Sequence, residues 1–178
     1  MFVLEKFSDE EEKVAFYTVR SDEESEFSET EDFLIRMRQS DYVQQFHELM
    51  EFTFEIIGNQ TGAHEDWFNR FERVAEALPP KKDWKTKQQA HTNEINFDIF
   101  NNKVRLYCLR LSDSVVVLFN GGVKLTTGRA EDDPNVSIHF RQANTYAQRI
   151  YDAISDGTID IQHKCVVGYD GNDNNIYI

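Results

Sequence analysis

The stretch that most constrains the fold runs Lys103-Val-Arg-Leu-Tyr-Cys-Leu-Arg-Leu-Ser-Asp-Ser-Val-Val-Val-Leu-Phe-Asn-Gly-Gly-Val-Lys124. It reads as two β-strands joined by the polar turn Ser112-Asp113-Ser114. Side chains alternate along a strand, so Arg105, Tyr107 and Leu109 share one face, with Val104, Leu106 and Cys108 on the other. The second strand, Val115 to Phe119, is an unbroken apolar run, the pattern of a strand buried on both faces. An Asn-Gly-Gly turn then delivers Lys124. Cations on and just after a central hairpin suit contact with a polyanion such as RNA.

Local signals place the other elements. Met1 to Phe7 and Lys13 to Arg20 read as a hairpin, followed by an acidic connector from Ser21 to Glu29. Ser28 and Glu31 have the spacing of a capping box, predicting a helix from about Thr30 to Gln39. A second helix follows from Ser40, with Val43, Phe46, Leu49, Met50, Thr53 and Ile57 on one face and Gly58 as its stop. Trp67, Phe68, Phe71, Val74, Ala75 and Leu78 mark a third helix ending at Pro79-Pro80. Residues 81–87 form a basic loop, and Glu94 to Phe100 alternates like a strand, giving a three-stranded meander over residues 94–125. Ser137 to Ile154 predicts a helix, and Ile159 and Ile161 begin a further strand. Lys164 to Tyr169 is expected to pair with Ile176 to Ile178 across a tight turn. The expected class is therefore α+β, an antiparallel sheet with packed helices.

Composition bounds the reading. A chain of 178 residues, 40% hydrophobic and 13% aromatic, can bury a sizeable core. It lacks an apolar run of membrane-spanning length and a signal-peptide start, so the expectation is a cytoplasmic protein with reduced Cys108 and Cys165. The net charge of −13 hides one reversal. Residues 1–32 hold twelve acids against three cations, whereas residues 79–129 hold nine cations against four acids. A basic island thus lies between acidic flanks, which weakens long-range attraction to RNA while leaving local phosphate binding open. The acidic N-terminal segment is also placed to fold over that island as an internal mask.

Three pieces of the chain carry a family resemblance: Val104-Arg105-Leu106-Tyr107, Val115-Val116-Val117-Leu118 and Gly122-Val123-Lys124-Leu125-Thr126. Their order resembles the core of the RelE/HigB-like toxins of bacterial type II toxin–antitoxin pairs, over residues 30–127. The resemblance divides the chain into an acidic hairpin and loop (1–29), a RelE-like core (30–127) and a C-terminal helix and strand extension (128–178), together one domain. Leu125 departs from the family pattern, replacing the second lysine of its usual pair. The resemblance implies a metal-independent, ribosome-dependent mRNA endoribonuclease, without a cofactor, held in check by an antitoxin protein.

Cleavage of RNA by its own 2′-hydroxyl requires stabilisation of a developing phosphorane charge, a task for arginine and lysine, together with a proton acceptor and donor. By position, the resemblance assigns catalytic roles to Arg105 and Lys124, with Arg129, His139 and Arg141 where the family often keeps further functional side chains. The candidate RNA-binding residues are Lys81, Lys82, Trp84, Lys85, Lys87, Lys103 and Arg110: cations for phosphate and an indole for base stacking. Each has a plainer reading, Arg105 as an ion pair, Trp84 as a sheet-edge cover and His139 as a surface helix residue. Two other functional classes stand beside the toxin: a non-catalytic protein-binding module, and an acidic inhibitor of a nucleic-acid-binding protein.

Overall fold

The computed structural model describes residues 1–70, 73–81, 84–92, 95 and 97–178. The hairpin read from the sequence forms its centre. Strand β5 (Val104–Ser112) and strand β6 (Val115–Val123) pair antiparallel, with Val104 opposite Val123 and Arg105 opposite Gly122. The N-terminal hairpin is also present, β1 (Val3–Ser8) against β2 (Ala15–Arg20). Strand β2 then lies parallel to β6, Ala15 opposite Val115 through Thr18 opposite Leu118. With β3 (Asn69–Arg70), β4 (Glu76–Leu78) and β9 (Ile176–Tyr177), the order across the sheet is β3-β4-β5-β6-β2-β1-β9. Every described pairing in it is antiparallel except β2–β6.

Both faces of this sheet are covered, as the apolar run of β6 requires. Val115, Val117 and Phe119 pack with Tyr107 and Leu109 under helix α4 (Ser137–Ser155), through Phe140, Ala143, Ala147 and Ile150. The two-stranded sheet of β7 (Ile159–Gln162) and β8 (Cys165–Gly168) adds Ile159 and Val166 to that side. Val116 and Leu118 face the other way with Leu106 and Cys108, against α1 (Glu29–Arg38) and α2 (Val43–Glu51) through Phe33, Phe46 and Leu49. Helix α1 starts as its sequence dictates: the Ser28 hydroxyl accepts from Glu31 N, and the Glu31 carboxylate accepts from Ser28 N. Thr30 and Thr18 share a buried hydrogen bond of 2.7 Å between their hydroxyls, tying that helix start to β2.

Several expectations are corrected. Where a helix is expected over residues 67–78, the described residues form a short 3₁₀ turn (Glu65–Trp67) followed by β3 and β4, with Phe71 outside the described residues. Glu76–Leu78 is drawn into strand form by the open edge of β5, where it buries Ala77 and Leu78. That leaves no place beside β5 for the expected strand at 94–100. Phe97–Asn101 makes a 3₁₀ turn, with Ile95 and Ile99 buried, while Glu94 and Asn96 lie outside the described residues. Helix α2 passes through Gly58 in a π-helical continuation, Phe52–Thr61, and stops at Gly62, whose φ of 80° suits glycine. Strand β8 pairs with β7, and Ile176–Tyr177 pairs with β1, so the loop at 170–175 links two sheets. The 81–87 segment is only partly a loop, because α3 (Trp84–Thr92) begins inside it. The sheet takes strands from residues 1–29, 30–127 and 128–178 alike. The acidic N-terminal segment is therefore no mask: β1 and β2 belong to the sheet, and Glu12 N and Lys13 N bond to Asn59 and Gly58. Among the described residues, no helix is long and apolar enough to cross a membrane.

Gly121 marks the tightest strand contact at the site end of the hairpin. A Cβ there would run into the carbonyl oxygen of Arg105, a backbone atom that cannot swing aside. Gly121→Ala is expected to cost about 3 kcal/mol in urea denaturation, or to prevent folding. Gly128→Ala, with open space around the new methyl, should stay within about 0.5 kcal/mol of wild type.

Candidate functional site

The open end of the β5–β6 hairpin brings Arg105 and Lys124 together. Lys124 N donates to Lys103 O at 2.8 Å, which fixes the strand ends side by side. Arg105 donates through Nη1 to Val104 O at 3.0 Å and to Asn102 O. Lys124 Nζ donates to Thr126 O at 2.8 Å and Gly128 O at 2.6 Å. Among the described residues, neither forms an ion pair, whereas Arg20, Arg36, Arg73, Arg110 and Arg129 each face a carboxylate. Burial pulls the Lys124 pKa down and the Arg105 charge pulls it further, against a smaller opposing pull from Asp133. Burial also lowers Arg105, which nonetheless stays charged at neutral pH.

Asp133 builds the loop that holds this end. Its buried carboxylate accepts from Leu125 N at 3.0 Å, Thr126 N at 2.9 Å and Asn135 N at 2.8 Å. Burial alone would raise its pKa, but these backbone N–H groups outweigh it and hold the carboxyl below its ordinary value. Tyr107 lies two residues from Arg105 on the same face, 0% exposed, with a hydroxyl that has no hydrogen-bond partner among the described residues. Burial pushes its pKa up, so it keeps its proton at neutral pH.

The other sequence candidates divide. Lys103 is exposed beside the Arg105–Lys124 pair. Arg129 is exposed and paired to Glu131, which Arg73 also approaches at 3.4 Å. Arg110 stands at the opposite end of β5, roughly 16 Å from Arg105 by strand rise, and is bound there to Ala63 O and Asp113. That makes it a framework cation rather than part of one basic surface. Lys81 and Lys87 are exposed, Lys82 lies outside the described residues, and Trp84 and Lys85 open the backbone of α3.

His139 belongs to a different cluster, one that sequence reasoning missed. Parallel strands β2 and β6 lead into helices on opposite faces of the sheet, α1 and α4. Past their last paired residues, Thr18 and Leu118, Asn120 of β6, 4% exposed, donates to Glu29 and Asp32 at 2.9 Å each, while its carbonyl oxygen accepts from Arg36. Tyr146 donates to Glu29 at 3.0 Å. His139 feels Arg36 and Asp32, and its Nδ1 is buried without a partner among the described residues. The available signal was Asn120 itself, a polar residue closing an apolar run. This arrangement clamps the two helices where the sheet divides.

No family model, curated protein or solved structure matches the chain.

Burial, reinforced by Arg36 and only partly opposed by Asp32, depresses His139 from 6.5 to about 4. The unfolded chain takes up this proton near pH 6.5 and the folded chain only near pH 4, so acid favours unfolding across that window. Relative to His139→Gln, the wild type should lose about 1–3 kcal/mol of stability between neutral pH and pH 4. Urea denaturation of both proteins across this range measures the difference; parallel curves would contradict it.

Proposed function

We propose that this protein binds RNA phosphate at Arg105 and Lys124, acting as a toxin-like protein of a toxin–antitoxin pair on ribosome-bound mRNA. The observation that carries the reading is a pair of half-buried cations, side by side, without an ion-pair partner among the described residues, in a chain with 32 acids and 19 cations. Arg105 uses only Nη1 within the described protein, leaving Nε and Nη2 to donate, and Lys124 retains one ammonium proton. A phosphate between them relieves their mutual repulsion and takes charge-assisted hydrogen bonds from both. Lys103 extends the cationic surface toward a neighbouring phosphate.

The same geometry limits the chemistry. Arginine and lysine can stabilise a phosphorane, but Tyr107 holds its proton and His139 stands in the Asp32–Arg36 cluster. The base for 2′-hydroxyl attack is then supplied by the ribosome complex, in keeping with ribosome-dependent cleavage. A second reading, a binding module for an acidic partner, draws on Leu125 and Ile138, which are 55% and 58% exposed on the segments that Asp133 holds together. An antitoxin with apolar anchors and carboxylates would fit there.

Binding of labelled single-stranded RNA across a salt series tests the proposal. Arg105→Ala and Lys124→Ala should each weaken binding and reduce the salt slope by about one, with Arg129→Ala having a smaller effect. Induced expression without the partner should slow bacterial growth and translation. RNA binding that ignores both substitutions, with normal growth at verified soluble expression, would sink the toxin-like reading and leave the acidic-partner module.

A further inference from the structure

At the far end of the same hairpin, an open cleft of about 480 Å³ lies between three turns. Its walls come from Thr61 and Gly62 after α2, the Ser112-Asp113-Ser114 turn, and Ile161 to His163 at the β7–β8 turn, with Lys13 at the entrance to β2. The serine turn holds them in place. Ala63 N donates to Asp113 O at 2.8 Å, Ala15 N to Ser114 O at 2.9 Å, and Lys164 N to Ser114 Oγ at 3.0 Å. Gly62 brings its backbone so near the turn that a Cβ would lie 3.3 Å from Asp113 O.

The hydrogen-bond inventory gives the ligand's chemistry. Ser114 Oγ accepts from Lys164 N, and Ser112 Oγ accepts from Ser114 N at 3.2 Å, so both hydroxyls retain their own protons to donate. Their mutual contact, 3.4 Å, lies outside the normal range for O–H···O bonds. The Thr61 hydroxyl is already committed, accepting from Trp67 Nε1 at 2.9 Å and donating to backbone oxygen. The Asp113 carboxylate is ion-paired to Arg110, which also lies 3.8 Å from Glu65. Among the described residues the Lys13 ammonium pairs with Glu12, 3.5 Å away in an exposed pair that contributes little. Two serine hydroxyls able to donate and an ammonium group thus border the cleft, with the lining carboxylate of Asp113 already ion-paired.

We propose that this cleft binds a small molecule through an oxyanion, a phosphate or carboxylate group, seated between Ser112, Ser114 and Lys13. Ile161 offers an apolar wall to the remainder of the ligand, since the volume exceeds that of the anion alone. Roughly 23 Å of strand separates Ser112 from Arg105, so this site is distinct from the proposed RNA contact.

Amide NMR of the full chain, titrated separately with inorganic phosphate and acetate at constant ionic strength, tests it. The expected result is saturable shifts at Lys13, Gly62, Ser112, Asp113, Ser114 and His163, with a midpoint of about 1 mM for the preferred anion. Lys13→Ala, an exposed substitution, and Ser112→Ala should each weaken binding about tenfold. Arg105→Ala should leave it unchanged. Tighter phosphate than acetate binding identifies a phosphate-bearing ligand, and the reverse order a carboxylate. If neither anion saturates, if shifts occur only near residues 103–105 and 122–124, or if Lys13→Ala and Ser112→Ala bind as wild type does, the proposal is overturned.

Discussion

Strand β6 lies between an antiparallel neighbour, β5, and a parallel one, β2, with side chains packed on both faces. The parallel contact governs the architecture because it cannot be made by a tight turn; the chain must cross over between its two strands. Here α1, α2 and the β3–β5 segment make that passage, and α4 then covers the opposite face. The consequence is a sheet without a solvated face at its centre. Every polar group near β6 must find a protein partner or become a liability. Asn120 answers this by joining Glu29, Asp32 and Arg36 where β2 and β6 diverge.

What the sequence disclosed follows from how local each signal was. Ser28 and Glu31 announced α1 because a capping box needs only four adjacent residues, and the Val115–Phe119 run announced a doubly buried strand by composition alone. The α4 stripe of Phe140, Ala143, Ala147 and Ile150 was legible for the same reason. The β2–β6 pairing was hidden, since it joins residues about a hundred positions apart and leaves no periodic trace. Residues 67–78 were misread because aromatic and apolar spacing there fits a helix. The edge of β5 decided otherwise by pairing with Glu76–Leu78. Gly58 was likewise a plausible helix stop, but only Gly62 has the positive φ that ends the turn.

The site was partly legible in the same sense. Arg105 and Lys124 could be paired from the hairpin register, because Arg105 faces Gly122 and Lys124 follows two residues later. The separation of Arg110 from them could also be read from strand length, yet its service to Ala63 O and Asp113 depends on a distant turn. His139 could not be placed, since its neighbours Asp32 and Arg36 come from a helix on the opposite side of the sheet. The basic island in sequence therefore does not gather its hairpin cations on one surface. The hairpin's own cations are divided between its two ends, and among them Arg105 and Lys124, with Lys103 beside them, form a group whose charges lack ion-pair partners among the described residues.

Electrostatics explains why those two cations are unusual in this chain. With acids in large excess, the least costly state for a half-buried cation is beside a carboxylate, as Arg20 is beside Glu5 at 2.8 Å. Arg105 and Lys124 are held apart from such partners by the very device that orders their loop. Asp133, the nearby carboxylate, spends its oxygens on three backbone N–H groups, and the Lys124 ammonium on two carbonyls. Rotating Asp133 toward Lys124 would exchange those bonds for an ion pair and leave buried N–H groups without acceptors, an unfavourable trade. The loop thereby preserves a local positive charge that the composition of the chain would otherwise neutralise. An anion arriving from outside can satisfy it without dismantling the fold.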